Sequence, residues 1–297
     1  MLLGGRELAA QPTRFSGPAT ALGLAGAVGT TTTAPTTTSV VTTTSSTTTT
    51  VATALIAAWM LDEASGARVD WKGNAANNLA GGSVGNDTTN KMEGTASALF
   101  TGSTTNLNTS SSNALRFLPE PFSCVIWARQ TSGSGIKEVL FNAGSGTGWA
   151  LEYDWSVVKY RVALNTPSSV LIPASNTNAA NAWFHVAVTR STGSPGTTSL
   201  YINGVIDAGT ASAFVTNGGT EFALGANSGS ASMIGQLDEA ACYTGALSPA
   251  AVCRICSCGV RGEQCTCSGA TFTSTGRNAG ACGSCALPAD CSASLIP

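Results

Sequence analysis

The sequence predicts an all-β protein in which two antiparallel sheets pack face to face, preceded by a Thr-rich extension and followed by a small Cys-rich tail. Three observations predict it. Short runs of β-branched and aromatic residues recur at near-regular spacing, Gly, Asn, Ser and Thr punctuate them, and no stretch carries a long amphipathic helical period. The pattern is clearest from Trp183 to Arg190 and from Ser199 to Val205, where side chains alternate between two faces. Asn203-Gly204 is the dipeptide a type I′ turn favours, because both of its central residues need positive φ.

Taken in order, residues 1–29 are small and apolar without a period and predict no element. Arg6 and Arg14 precede an apolar run at 19–28, but Pro12, Pro18 and the Gly/Ala-rich composition make it a poor signal peptide. Residues 30–50 include fourteen Thr in twenty-one positions. Such a tract buries no core, so it reads as a solvated stem, open to O-glycosylation, or as an extended strand laid against a neighbouring subunit. From residue 51 the composition changes, and strands are expected at 55–61, 96–100, 122–129, 138–142, 148–154, 158–164, 170–172, 183–190, 200–207, 221–225 and 235–243. A polar turn at 62–66 and an Asn/Gly-rich loop at 70–90 separate the first two. One short helix is expected near the end, with Ser248 at the N-cap, Pro249 at N1 and apolar spacing to Ile255. The sandwich thus spans 51–252 and the tail 253–297.

Hydrophobic residues make up 43% of the 297, enough for a proper core, while only 10% are charged. The surface is therefore neutral and hydroxyl-rich. A net charge of −2 with no basic run removes the electrostatic attraction that nucleic acid and anionic membrane require, and no apolar window reaches the length of a membrane span. Ten cysteines point to an oxidising, extracellular setting. Eight of them, Cys253, Cys256, Cys258, Cys265, Cys267, Cys282, Cys285 and Cys291, crowd into a tail with little apolar content, which cross-links must order. Disulfides are expected there. Zinc is the rival, given two Cys-x2-Cys pairs, but no His accompanies them.

Seven motifs carry a resemblance in order: Ala58-Trp-Met-Leu-Asp-Glu-Ala-Ser-Gly66, Ala98-Leu-Phe-Thr-Gly102, Phe122-Ser-Cys-Val-Ile-Trp-Ala-Arg129, Trp183-Phe-His-Val-Ala-Val-Thr-Arg190, Leu200-Tyr-Ile-Asn-Gly-Val205, Phe222-Ala-Leu-Gly-Ala226 and Gly235-Gln-Leu-Asp-Glu-Ala240 with Leu247-Ser248 behind it. Over residues 55–252 the chain resembles the laminin-G-like jelly rolls of the concanavalin A-like lectin and glucanase superfamily. The resemblance implies a jelly-roll sandwich, glycan or protein binding, adhesion, and often a structural calcium. It brings Asp62, Glu63, Asp70, Asn74, Asn77, Asn78, Asp238 and Glu239 to one edge, of which Asp62, Asp70, Asn74 and Asp238 are the candidate calcium ligands. Thr101 stands where relatives frequently carry an acid, which counts against the metal. The resemblance also makes the strands of Cys124 and Cys242 neighbours, as a cross-strand disulfide or as two buried thiols.

The superfamily contains glycosidases, so a carboxylate pair has to be sought. Glu152 and Asp154 share one face of a strand, like the start of the Glu-x-Asp strand of retaining glucanases, but the third acid is missing. Only distant Asp207 or Glu221 could supply it. His185, the single histidine, lacks a partner for metal or base chemistry and reads as a hydrogen-bonded structural residue at a position where the family commonly has a buried His. Trp149, Tyr153 and Trp155 share a strand parity that suits either core or a platform for stacking sugars, with Trp155 the most open to a ligand.

These readings converge on a non-enzymatic extracellular protein that binds glycans or surface proteins and assembles or docks on a larger structure, as a virion decoration protein or as an adhesin or filament subunit. A glycan hydrolase or lyase is the alternative.

Overall fold

The computed structural model describes residues 53–81, 83–102, 106–109, 115, 120–144, 147–166, 170–193, 195–214, 222–226, 232–262, 265–268, 271–274 and 281–282. The N-terminal segment and the Thr tract lie outside them. The strands are β1 (Ala54–Trp59), β2 (Gly85–Asp87), β3 (Ser97–Thr101), β4 (Leu107–Asn108), β5 (Phe122–Gln130), β6 (Ile136–Gly144), β7 (Thr147–Asp154), β8 (Lys159–Thr166), β9 (Val170–Pro173), β10 (Trp183–Arg190), β11 (Gly196–Ile202), β12 (Val205–Ser212), β13 (Ala223–Leu224), β14 (Ile234–Thr244), β15 (Cys265–Ser268) and β16 (Thr271–Ser274), with one helix, α1 (Pro249–Cys258), after β14.

Two antiparallel sheets form the sandwich. One runs β12-β11-β10-β5-β14-β3-β2, with β1 also on β14; the other runs β4-β13-β6-β7-β8-β9. Inward residues of the first sheet, among them Trp59, Phe100, Ile126, Val186, Val188 and Leu200, meet Leu140, Trp149, Leu151, Tyr153, Tyr160 and Val162 of the second in one core. The period of two in each strand sets this division. β5 breaks the alternation, being buried at nearly every position. Its outward residues are covered too: Val125 packs with Leu247, Val252 and Ile255 at α1, and Trp127 packs with Cys256 and Cys282. A strand covered on both faces reads as a continuous apolar run.

The strand expected at 200–207 is two strands. Asn203 and Gly204 both have positive φ, 51° and 81°, and turn the chain from β11 into β12. The dipeptide's backbone preference outweighs the β-branched run around it. Helix α1 starts as expected, with Ser248 Oγ accepting from Ala251 N and Pro249 at N1. It crosses the boundary expected between 252 and 253, and its second half is buried.

Cys124 on β5 and Cys242 on β14 face each other in register and are joined by a disulfide. Cys256 of α1 is bonded to Cys282, and Cys253 and Cys258 are also in disulfides. None of these thiols is left to hold zinc. The side chains of Cys265, Cys267, Cys285 and Cys291 fall outside the described residues.

β14 keeps β5 on one side throughout but changes partner on the other, from β3 at 234–237 to β1 at 240–244. The change falls on a bulge where Glu239 has φ 48°. Two sheet edges and one loop meet there.

Candidate functional site

The outer face of the six-stranded sheet carries the candidate acids. Glu152 and Asp154 alternate with the buried Trp149, Leu151 and Tyr153 on β7, so both point away from the core. Arg161, directly opposite Glu152 on β8, donates from Nε to Glu152 Oε2 at 2.7 Å and from Nη1 to Asp154 Oδ2 at 3.0 Å. One guanidinium bridges both carboxylates. Burial pushes the Glu152 carboxyl up while Arg161 opposes it. At Asp154 burial also pushes up, but hydrogen bonds from Ser156 and the charge of Arg161 outweigh it and leave the group below its ordinary value. Glu138 of β6, in register with Glu152, is a third acid on this face that the strand pattern did not reveal. Asp207 instead grips Ser175, accepting from its N at Oδ2 and from its Oγ at the carbonyl. Glu221 lies outside the described residues.

Of the two readings of the aromatic cluster, core and sugar platform, Trp149 and Tyr153 take the core. Trp149 and Tyr153 are 0% and 1% exposed, Trp149 stacks on Phe122 at 5.1 Å, and the Tyr153 hydroxyl donates to Asn178 O. The shared parity turned these rings inward, and Trp155 lies edge-on against Tyr153 at 5.0 Å, half-buried. His185 is buried against Trp127, edge-on at 5.3 Å. Asn203 closes its backbone, donating from N to His185 O and accepting at Oδ1 from His185 N. The ring is otherwise than expected: neither ring nitrogen has a hydrogen-bond partner among the described residues.

The acid edge is a pair of backbone clamps. Asp62 Oδ1 accepts from Thr95 N and Ala96 N, and Asp238 Oδ2 accepts from Met92 N and Glu93 N. Together they hold the 92–96 loop at the gap between β1 and β3. Gly94 is required there: its φ is 61°, and a Cβ would lie 2.1 Å from Asp62 Oδ2. Asp70 ties the next loop, accepting at Oδ1 from Ala58 N and Lys72 N and at Oδ2 from Asn77 Nδ2, while Asn74 caps a 3-10 turn at Ala75–Asn77. Calcium needs six to eight oxygens with free lone pairs. Every one of these carboxylate oxygens except Asp62 Oδ2 takes N–H donors, and among the described residues no three acidic, His or Cys groups converge on a metal position. The set Asp62, Asp70, Asn74 and Asp238 does not fit the ion.

Beside these clamps opens a concavity of about 500 Å³, lined by Met60, Asp62, Glu63, Val69, Asp70 and Trp71. Trp71 is 48% exposed and Val69 52%. The loop that carries them is fixed from beneath, with Trp71 N donating to Ala58 O at 2.7 Å, Val69 N to Glu63 Oε1 at 2.7 Å, and Arg68 paired through its backbone with Leu79. Trp71 was missed in the sequence because it stands in the polar run Asp70-Trp-Lys-Gly-Asn74, where no periodicity marks it. A bulky aromatic in a loop of otherwise polar residues was the available signal.

Two antiparallel sheets packed face to face in this way are the architecture of the lectin-like jelly rolls. The chain belongs to the concanavalin A-like lectin/glucanases superfamily, which residues 101–253 match. No curated protein matches the sequence at a significant level. Among solved structures it is similar to domain 4 of AbnA, an extracellular arabinanase from Geobacillus stearothermophilus, in complex with arabinotriose, at 19% identity and a TM-score of 0.50 over 67% of this chain and 97% of that one. It is also similar to the binding domain of Paraclostridial Mosquitocidal Protein 1, at 16% identity and a TM-score of 0.53 over 67% of this chain. The second match spans 51% of that chain, and at these identities the likeness is one of fold.

Proposed function

We propose that the chain is a non-enzymatic extracellular surface or structural protein whose jelly roll binds glycans. The Arg161 bridge carries this reading. A retaining glycosidase needs one carboxyl free to protonate the leaving group and another, about 5 Å away, free to attack. Here one cation holds both acids of β7, and the distant candidate Asp207 is engaged with Ser175. Disulfides in the sandwich and at α1 support an oxidising compartment. The arabinotriose bound to domain 4 of the arabinanase and the binding role of the mosquitocidal domain support ligand capture as the use of this fold. Hydrolysis remains the second reading because Glu138 stands opposite Glu152. Incubation with a polysaccharide panel separates the two: binding without release of reducing ends, unchanged in Glu152→Gln, is expected, and hydrolysis lost in that variant overturns the proposal.

Residues 30–50 then act as a stem or as an assembly element, in an adhesin, a filament or a virion decoration. Deleting them decides which: assembly lost while the sandwich stays folded marks an assembly element, and assembly retained marks a stem.

A further inference from the structure

Among the described residues Trp71 is the one large aromatic with about half of its surface open to solvent. Its position is costly unless something covers it, because an exposed indole leaves a large apolar face in water. The surrounding loop cannot fold over to hide it. Asp70 binds Ala58, Lys72 and Asn77, Arg68 donates to Gly66 O, Val84 O and Gly85 O, and Lys72 Nζ donates to Leu55 O. The platform is therefore preorganised, and a ligand meets it without ordering the loop.

The chemistry around the ring selects the ligand. Val69 and Met60 extend the apolar floor, and Asp62 lies at the rim with Oδ2 accepting no hydrogen bond from the described residues, its Oδ1 being taken by the 92–96 loop. Glu63, which lies 3.9 Å from the Arg68 guanidinium, and the buried Asp70 add negative charge. The Arg68 side chain is fully buried, and Lys72, an exposed residue, is held by its Nζ on Leu55 O of β1. Asp62, Glu63 and Asp70 outnumber Arg68 and Lys72, so an anionic ligand would meet net like charge. A ligand suited to this place offers a flat patch of C–H groups, hydroxyl donors and no negative charge, and it fits the 300–1,000 Å³ or so typical of small-ligand sites. We propose that the Trp71 concavity binds a neutral oligosaccharide, one sugar ring stacked on the indole and its hydroxyls donating to the Asp62 carboxylate. This rests on the glycan-binding reading above and gives it a place and a sugar class.

The test titrates the full-length protein, and its Trp71→Ala and Trp71→Phe variants, with neutral arabino-, gluco- and galacto-oligosaccharides, with sialyllactose and with a Lys-rich peptide. Trp71 is half exposed, so melting curves of both variants should overlay the parent. The expected result is that a neutral oligosaccharide binds, that Trp71→Ala weakens it by about tenfold or more, and that Trp71→Phe retains part of the affinity, as loss of a stacked aromatic face implies. Undiminished binding in folded Trp71→Ala overturns the site while leaving glycan binding in place. Binding at Trp71 of sialyllactose, or of the peptide in preference to every sugar, overturns the ligand class. A parent protein that binds no glycan at millimolar concentration overturns the inference and the function together.

Discussion

His185 makes the stability of this protein depend on mild acid. Burial against Trp127 holds the imidazole pKa down, from 6.5 to about 3, and no described group hydrogen-bonds its ring. The neutral form is favoured in the native state. The unfolded chain therefore binds the proton first, so the contribution is level above pH 6.5, falls as pH drops from there, and levels again near pH 3. Within that window each unit of pH removes about 1.4 kcal/mol, so at pH 4.5 the loss is roughly 3 kcal/mol. In a domain of this size that corresponds to about 6–12 °C in Tm.

The perturbation is His185→Leu, which keeps an apolar side chain of similar bulk and removes the titration. Burial raises the Asp238 and Glu239 carboxyls, so their contributions to the pH dependence are opposite in sign. The informative quantity is the difference between parent and variant, from which those contributions cancel. Urea unfolding at pH 7.5, 6, 5 and 4.5 should show the variant gaining on the parent by roughly 3 kcal/mol across the series. Parallel pH profiles would refute the buried, neutral imidazole.

Three further outcomes follow from the same packing. Arg190 is fully buried and donates to Glu120, Gly196 O, Thr198, Ser212 Oγ and Ser212 O, so Arg190→Met leaves several acceptors unpaired and should lower unfolding free energy by about 3–5 kcal/mol in chemical denaturation; a change under 1 kcal/mol refutes the network. Replacing Cys124 and Cys242 together by Ala removes a cross-link spanning 118 residues and should cost about 2–5 kcal/mol. Because the oxygens of Asp62 Oδ1, Asp70 and Asp238 are engaged by N–H donors, excess chelator should leave the melting curve unchanged; a lowered Tm would show that a metal binds the folded state after all.

The sandwich was legible because its signal is local. Alternation along Trp183–Arg190 and the Asn203-Gly204 dipeptide are fixed by pleat geometry and backbone sterics, which any short window contains. The two-residue β4 and the three-residue β2 carry too few positions to show a period, and they exist because neighbours pair with them, whereas β13 falls inside the strand expected at 221–225. Parity placed Trp149 and Tyr153 on one face with Leu151, and Glu152 on the other with Asp154, but parity does not say which face is the core. That was decided by the opposing sheet, through contacts such as Trp149 with Phe122.

The candidate site was less legible for a reason specific to this composition. A chain with 10% charged residues has few carboxylates, and its loops draw on them for backbone donors that would otherwise be unpaired. Asp62 and Asp238 hold residues 92–96, Asp70 holds Ala58 and Lys72, Asp87 holds Thr89 and Asn90, and Asp207 holds Ser175. Sequence shows an acid and its spacing but not which donor takes its lone pairs, so acids that bind metal and acids that bind main chain look alike. The same economy shapes the surface. With most acids and Arg68, Arg161 and Arg190 engaged internally, an approaching ligand meets hydroxyls, amides and few free charges, and the exposed Trp71 face becomes the largest local source of affinity. Its capacity to bind comes from the Asp70 knot that holds it still, and that knot is built from residues the sequence had suggested for calcium.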